Sequence, residues 1–177
     1  MNKLFLLFLI FFCTNLLGQS PSEYLTRQGQ VTFFSYTTVE NIEATNKQVL
    51  SLFKTDTDSI AVRMLMRAFS FKKSLMQEHF NESYIESDKY PEATFRGRII
   101  DFDPNFEGTR IFRVSGEFGL RDIKKLLEFS INCTNQDGEY SIAGDLEVLV
   151  DDYEIKIPTL LAPNIAQVIK VSFNFQY

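Results

Sequence analysis

From Val31 onward, apolar and polar residues alternate along much of the chain with a period of two, the pattern of strands that have one apolar face. The clearest example is the C-terminal run 169–177, in which every odd-numbered residue is apolar and every even-numbered residue is polar. Residues 140–150 and 60–66 show the same alternation. The chain is therefore predicted to consist mainly of β-strands.

Shorter alternating runs add further strands, and turn-forming residues separate several of them. The additional strands are predicted at 31–36, 48–53, 93–100, 111–118 and 125–133. Turns are predicted at 55–59, 104–108 and 135–138, where Asp, Asn, Pro and Gly cluster. The total is about eight strands, several of them joined by connections of hairpin length.

Helical signals are few and short. Residues 74–80 are predicted to form a turn or short helix, and Pro163 is predicted to open a second one that runs through Ile169. Neither is long enough for a layout of parallel strands joined by helices. The predicted fold is all-β, an antiparallel eight-stranded barrel with one or two short helices, because closure removes exposed sheet edges. A sandwich of two sheets is the alternative.

The predicted inward face is rich in Phe, Met, Ile and Val, with few groups capable of acid–base chemistry. An eight-stranded barrel can either be filled by its own side chains or hold one small ligand, and alternation is compatible with both. If a cavity exists, it favours an apolar ligand. The candidate ligand-contacting residues are Phe33, Met64, Met66, Phe95, Ile99, Phe112, Val114, Phe129, Ile131, Ile142, Leu146, Phe173 and Phe175.

The N-terminal residues 1–18 have the features of a cleavable signal peptide: one charge at Lys3, an apolar run at 4–12, and Gly18 before a polar segment. The apolar run is well below the roughly 20 residues that cross a bilayer, so a retained anchor is the less favoured interpretation. The predicted mature domain is 19–177, without a membrane span and located in the periplasm or secreted.

Composition excludes several classes of function. The chain has 18 Lys and Arg against 23 Asp and Glu, a net charge of −5, and no long basic run, which argues against nucleic acid as a partner. His79 is the only histidine, so a multi-histidine metal site within one chain is excluded. No phosphate-binding Gly-rich loop, Cys pair or nucleophile elbow is present. We therefore predict no enzymatic activity, no metal and no cofactor.

Two residues remain as candidates for specific chemistry. His79, between Glu78 and Glu82, could contact a ligand head group, act as a base or make a structural hydrogen bond. Cys133 would be the only thiol left after signal removal; because it ends an alternating run, it is interpreted as a small buried apolar residue rather than a nucleophile. No intramolecular disulfide can then form.

Several segments together resemble the YceI-like family. They are the His-containing stretch 78–82, the Tyr90-Pro91 step followed by Phe95, and two strands with a central glycine at 114–118 and 142–146. The resemblance extends from about Gly29 to Tyr177.

The resemblance implies a lipocalin-like barrel in the periplasm that binds an isoprenoid chain, such as a polyprenyl lipid or a quinone tail. The leading hypothesis is an exported lipid-binding protein that carries or sequesters an isoprenoid or fatty tail, with His79 as the head-group candidate. The alternatives are a filled barrel that acts as a structural or interaction module of the cell envelope, and an enzyme that uses His79 on a lipid. A homodimer is compatible with each of these three functions.

Overall fold

The computed structural model describes residues 22–177, which form nine strands and one short helix. The predicted signal peptide, residues 1–18, lies outside the described residues. The strands are β1 (Glu23–Tyr36), β2 (Asn41–Lys54), β3 (Ser59–Leu65), β4 (Ser70–Phe71), β5 (Glu92–Ile100), β6 (Gly108–Leu120), β7 (Ile123–Gln136), β8 (Glu139–Leu149) and β9 (Val168–Gln176). No helix within residues 22–177 has both the length and the apolar character required to cross a bilayer.

Eight of these strands close into one antiparallel barrel. The strand order is β1, β9, β8, β7, β6, β5, β3, β2, and β2 pairs back to β1. The two-residue β4 adds only a short pairing to the edge of β2. The predicted eight-stranded antiparallel barrel is confirmed, and the sandwich alternative is wrong because one continuous ladder of strand pairs surrounds the interior.

The first two strands are longer than the alternation predicts, because both contain irregularities that break the period of two. The pairing of β1 with β2 shifts register on either side of Gly29, before the predicted start of this strand at Val31. In β2, the fully buried Asn46 donates a hydrogen bond to the carbonyl of Leu65 at 3.0 Å. A buried amide at an inward position interrupts the apolar pattern of the strand. The hydrogen bond satisfies this buried polar group.

The first predicted helix is present and the second is not. Helix α1 spans Ser74–His79 and continues as a wider π-helical turn over Phe80–Tyr84. Around Pro163 there is only a single 3₁₀ turn, Ala162–Asn164. It stops because Ile165 is already extended, with φ −124° and ψ 123°, and Ala166 donates its N–H to the Ser35 hydroxyl at 2.8 Å.

The antiparallel order gathers the connections at two ends of the barrel, which we call the mouth end and the floor end. The mouth-end connections are residues 37–40, 66–91, 121–122 and 150–167. The floor-end connections are residues 55–58, 101–107 and 137–138. Segment 150–167, the longest piece without a strand or α-helix, is called the strap below.

Candidate functional site

The barrel encloses a cavity of about 250 Å³. Ten of the thirteen predicted ligand-contacting residues line it, and the structure thus brings most of that set together. These ten are Phe33, Met64, Met66, Phe95, Val114, Phe129, Ile131, Leu146, Phe173 and Phe175. That they contact a ligand stays a prediction.

The other three predicted residues, Ile99, Phe112 and Ile142, point inward but do not line the cavity. They lie toward the floor end, where β5 ends and where β6 and β8 begin. All three are buried in the core. Alternation identifies the inward face of a strand, but it does not say which part of that face borders empty space.

A cluster of aromatic rings closes the floor end. Phe53 lies at its centre, with ring centroids 5.3 Å from Phe102 and 5.4 Å from Tyr140. Phe106 extends the cluster, 5.3 Å from Phe112. Edge-to-face packing at such distances stabilises aromatic pairs beyond the area that they bury. The cavity consequently has a solid floor at this end.

The loop 101–107 is held over the floor by polar contacts to the β7–β8 hairpin. The buried side chain of Asn135 donates to the Phe106 carbonyl at 2.7 Å, and the Tyr140 hydroxyl donates to the Pro104 carbonyl at 2.9 Å. Burial raises the pKa of Tyr140 to about 12, so the phenol stays protonated and can donate this bond. The loop is fixed as part of the floor.

Apart from Met66 and His79, sequence reasoning missed the residues that the mouth-end connections contribute to the cavity. Helix α1 and its π-helical turn place Met76, Phe80 and Tyr84 against it, and the strap adds Ile155 and Leu161. The spacing of four between Met76, Phe80 and Tyr84 puts these side chains on one helical face. That spacing is the sequence signal for a helical face directed at the cavity, but the segment is too short for the periodicity to be distinctive.

The Phe80 ring anchors this helical segment to the barrel. Its centroid lies 5.3 Å from that of Phe33 on β1, 5.9 Å from Phe69 and 5.1 Å from Phe71. Phe69 and Phe80 are both buried. The helix is therefore packed across the mouth end and forms part of the cavity wall.

Several side chains that line the cavity from β7, β8 and β9 keep some exposed surface. Inward side chains of β3 and β5, such as Val62 and Ala93, are buried. By contrast, Phe129, Leu146 and Val171, on β7, β8 and β9, are only half-buried although they line the cavity. An inward side chain that retains exposed surface borders space that the protein does not fill.

Two glycines keep the Phe95 ring close to the wall. Gly97 and Gly116 are paired between β5 and β6, and a Cβ added to either would approach the Phe95 ring within 2.8 Å or less. At 2.5–2.7 Å, the same Cβ atoms would also meet backbone oxygens. These strands thus leave room for an aromatic ring to lie flat on the barrel wall rather than across the cavity.

The wall between β7 and β8 is hydrogen-bonded over only part of its height. Their pairing covers Ile131–Gln136 of β7, whereas residues 123–130 pair with β6 alone and residues 145–149 of β8 pair with β9 alone in the described chain. The cavity-lining side chains of Leu127 and Leu146 stand on opposite sides of this gap. The β7–β8 wall therefore lacks backbone pairing beside part of the cavity.

Polar groups of the cavity are confined to the mouth end. Among the described residues that line the cavity, the polar ones are Ser35, Glu40, His79, Tyr84 and Asn164. His79 is half-buried at the end of α1. Glu40 forms an ion pair with Lys73, and burial raises the pKa of Tyr84. This arrangement matches a ligand whose apolar tail lies toward the floor end and whose polar head lies at the mouth end.

Arg121 joins the connections that cover the mouth. Its guanidinium donates to the Glu154 carbonyl at 2.6 Å and to the Tyr153 carbonyl at 3.4 Å, and it forms an ion pair with Glu86. Lys125 adds an ion pair to Asp152 at 3.3 Å. The start of the strap is therefore tied to the β6–β7 turn and to the segment that follows α1.

The thiol within the described residues is poorly placed for nucleophilic chemistry. Cys133 is fully buried, and burial raises the pKa of its thiol to about 12, which keeps it in the weakly nucleophilic neutral form. Residues 22–177 contain no cluster of three or more His, Cys, Asp or Glu side chains placed to hold a metal ion.

Comparison with known proteins agrees with this architecture. A family model described as "YceI-like domain" matches residues 24–177. No curated protein matches the chain by sequence.

Three solved structures share the fold. A polyisoprenoid-binding domain from Saccharophagus degradans, implicated in plant cell wall breakdown, has a TM-score of 0.74 at 14% identity, with 86% of this chain and 95% of that chain covered. BcnA of Burkholderia cenocepacia has a TM-score of 0.70 at 13% identity over 84% and 96% of the two chains. A Campylobacter jejuni YceI protein has a TM-score of 0.61 at 11% identity over 80% and 87%.

Proposed function

The chain belongs to the YceI-like family, and we propose that its barrel binds the apolar tail of an isoprenoid lipid, such as a polyprenyl lipid or a quinone, or of a fatty lipid. The observation that carries the proposal is the cavity of about 250 Å³, apolar along the barrel and polar only at the mouth end. The related fold of a polyisoprenoid-binding domain supports the same ligand class.

The energetics favour a long tail with a small head. Each CH₂ group transferred from water into an apolar cavity contributes about 0.8 kcal/mol to the free energy of binding. A chain of several isoprene units therefore binds without many polar contacts. Because the aromatic floor closes one end, the tail enters with its head group left at the mouth. There, His79 and its polar neighbours are the candidate contacts.

The proposed role is non-enzymatic carriage or sequestration of this lipid outside the cytoplasm. The signal-like segment 1–18 supports export to the periplasm or the exterior. A buried, protonated Cys133 and a single histidine without a nucleophile favour binding over catalysis. The cavity disfavours the alternative of a completely filled barrel that acts only through its surface.

Changing His79 to Ala tests the head-group assignment. We expect the delipidated variant to bind a prenyl alcohol up to about tenfold more weakly, since one hydrogen bond contributes about 0.5–1.5 kcal/mol. Binding of the matching prenyl hydrocarbon, which has no head group, should not change. The measurement is equilibrium binding of the two radiolabelled ligands.

Glu78→Ala is the matched control, because Glu78 is the exposed neighbour on the same helix. It should bind both ligands as the unmodified protein does. Equal weakening of alcohol and hydrocarbon by His79→Ala would contradict the head-group role. Failure of the unmodified protein to bind either ligand would contradict the proposed function itself.

A further inference from the structure

Exposed apolar side chains are concentrated around the mouth end. Eight of the ten large apolar residues that are exposed in the described chain lie in the mouth half of the barrel, and only Leu25 and Ile111 lie in the floor half. The eight are Tyr36, Val39, Leu65, Leu75, Leu126, Leu149, Leu160 and Val168. Scattered exposed apolar residues are normal, but a grouping at one end marks an interaction surface.

Three of these residues stand on three different mouth-end connections. Val39 lies in the β1–β2 turn and is 62% exposed, Leu75 lies on α1 and is 59% exposed, and Leu160 lies on the strap and is 88% exposed. In each case the next residue in the chain lines the cavity. The three exposed side chains, called the rim below, are thus adjacent in sequence to the cavity lining.

The distribution of charge distinguishes the two ends. The floor-end connections carry six Asp and Glu residues and no Lys or Arg. The mouth-end connections carry nine acidic and six basic residues in mixture. The floor-end connections thus carry a net charge of −6 and the mouth-end connections a net charge of −3, so an anionic surface repels the floor end more strongly. Four of the six basic side chains at the mouth end form ion pairs with acidic side chains, and Lys89 and Lys156 are the other two.

We propose that the rim docks the mouth of the barrel on a phospholipid bilayer, with Val39, Leu75 and Leu160 inserted among the lipids. The inference rests on the proposed function, because a membrane lipid can reach an apolar cavity without crossing water only if the end of the barrel by which it enters meets the bilayer. Insertion of a few apolar side chains gives reversible attachment rather than anchoring, which suits a protein that must leave with its ligand.

A bilayer accounts for the rim better than a second copy of the chain does. The apolar residues stand on separate connections, and the exposed Lys72 and Lys73 precede Leu75 in the same segment. Apolar side chains interspersed with cationic ones suit the boundary between lipid tails and phosphates. A dimer interface instead buries one continuous and more apolar patch.

The test compares two variants in which exposed apolar residues are replaced by Ser at opposite ends of the barrel. The rim variant carries Val39→Ser, Leu75→Ser and Leu160→Ser. The control carries Leu25→Ser and Ile111→Ser, two exposed apolar residues of the floor half, the latter 73% exposed. Each protein is sedimented with vesicles of phosphatidylcholine and phosphatidylglycerol in equal parts. Circular dichroism and thermal unfolding establish that all three are folded.

The unmodified protein and the control should bind vesicles equally, and the rim variant should bind at least about tenfold more weakly, because three apolar insertions are lost. Failure of the unmodified protein to bind vesicles, or equal binding by the rim variant, would overturn the docking proposal. The docking proposal would also be overturned if the rim variant differed from the unmodified protein only in oligomeric state, because the rim would then be an interface with a second copy of the chain.

A second readout separates docking from ligand binding. A fluorescent prenyl lipid delivered from cyclodextrin, with no bilayer present, should bind the rim variant and the unmodified protein equally. The same lipid offered in vesicles should load the rim variant more slowly. If no protein binds the cyclodextrin-delivered lipid while vesicle binding still depends on the rim, the proposed function fails and the docking surface stands.

Discussion

Replacing Val171 with Trp is expected to abolish binding of an apolar tail while the barrel stays folded. Val171 lines the cavity from β9 and is only half-buried, so an indole can occupy the empty space beside it with little strain. We expect at least about a hundredfold loss of affinity, since most of the apolar burial of the tail is displaced. Equilibrium binding of a prenyl lipid measures the loss.

Lys170→Trp is the matched control. Lys170 precedes Val171 on the same strand, points outward and is exposed. The chain contains no native Trp, so the emission maximum of each variant reports where its single indole lies. We expect a blue-shifted emission and lost binding for Val171→Trp, with solvent-like emission and intact binding for Lys170→Trp. A folded Val171→Trp protein with unchanged affinity would show that the tail binds elsewhere.

Replacing Phe53 with Ala is expected to lower the free energy of unfolding strongly. Its side chain is fully buried at the centre of the floor, with ring centroids 5.3 Å from Phe102, 5.4 Å from Tyr140 and 5.8 Å from Tyr177. Truncation removes these contacts and leaves a cavity, which costs about 3–5 kcal/mol for a buried Phe. Urea unfolding measures the change in the free energy of unfolding.

The appropriate comparison is Leu25→Ala, an apolar truncation at the same end of the barrel. Leu25 is 49% exposed, so its truncation should lower the free energy of unfolding by less than about 1 kcal/mol. Similar losses for the two variants would mean that the aromatic floor is not a principal source of stability.

Most of the strands were predictable because apolar residues recur at every second position along their inward faces. In β9, the alternation from Ile169 to Tyr177 agrees with the inward face that the structure shows. Pairing partners could not be derived in the same way, since alternation identifies a face and not a neighbour. Closure of the barrel is a property of all eight strands together.

The candidate site was predictable only in part, because the ends of a barrel are defined by its connections. Ile99, Phe112 and Ile142 satisfy the inward pattern, yet they lie buried at the floor end, where Phe102 and Phe106 of the loop 101–107 pack against Phe112. The mouth depends equally on tertiary contacts. The bonds from Arg121 to the strap join residues more than 30 positions apart, which no local pattern encodes.

Native mass spectrometry of the exported, purified protein, followed by solvent extraction and lipid analysis of whatever dissociates, is the test of lipid binding in the barrel. We expect one apolar adduct per chain, with the mass of an isoprenoid or fatty lipid, and loss of this adduct in Val171→Trp. A protein that carries no adduct, and that also fails to bind added polyprenyl lipids, quinones and fatty acids, would contradict lipid binding in the barrel.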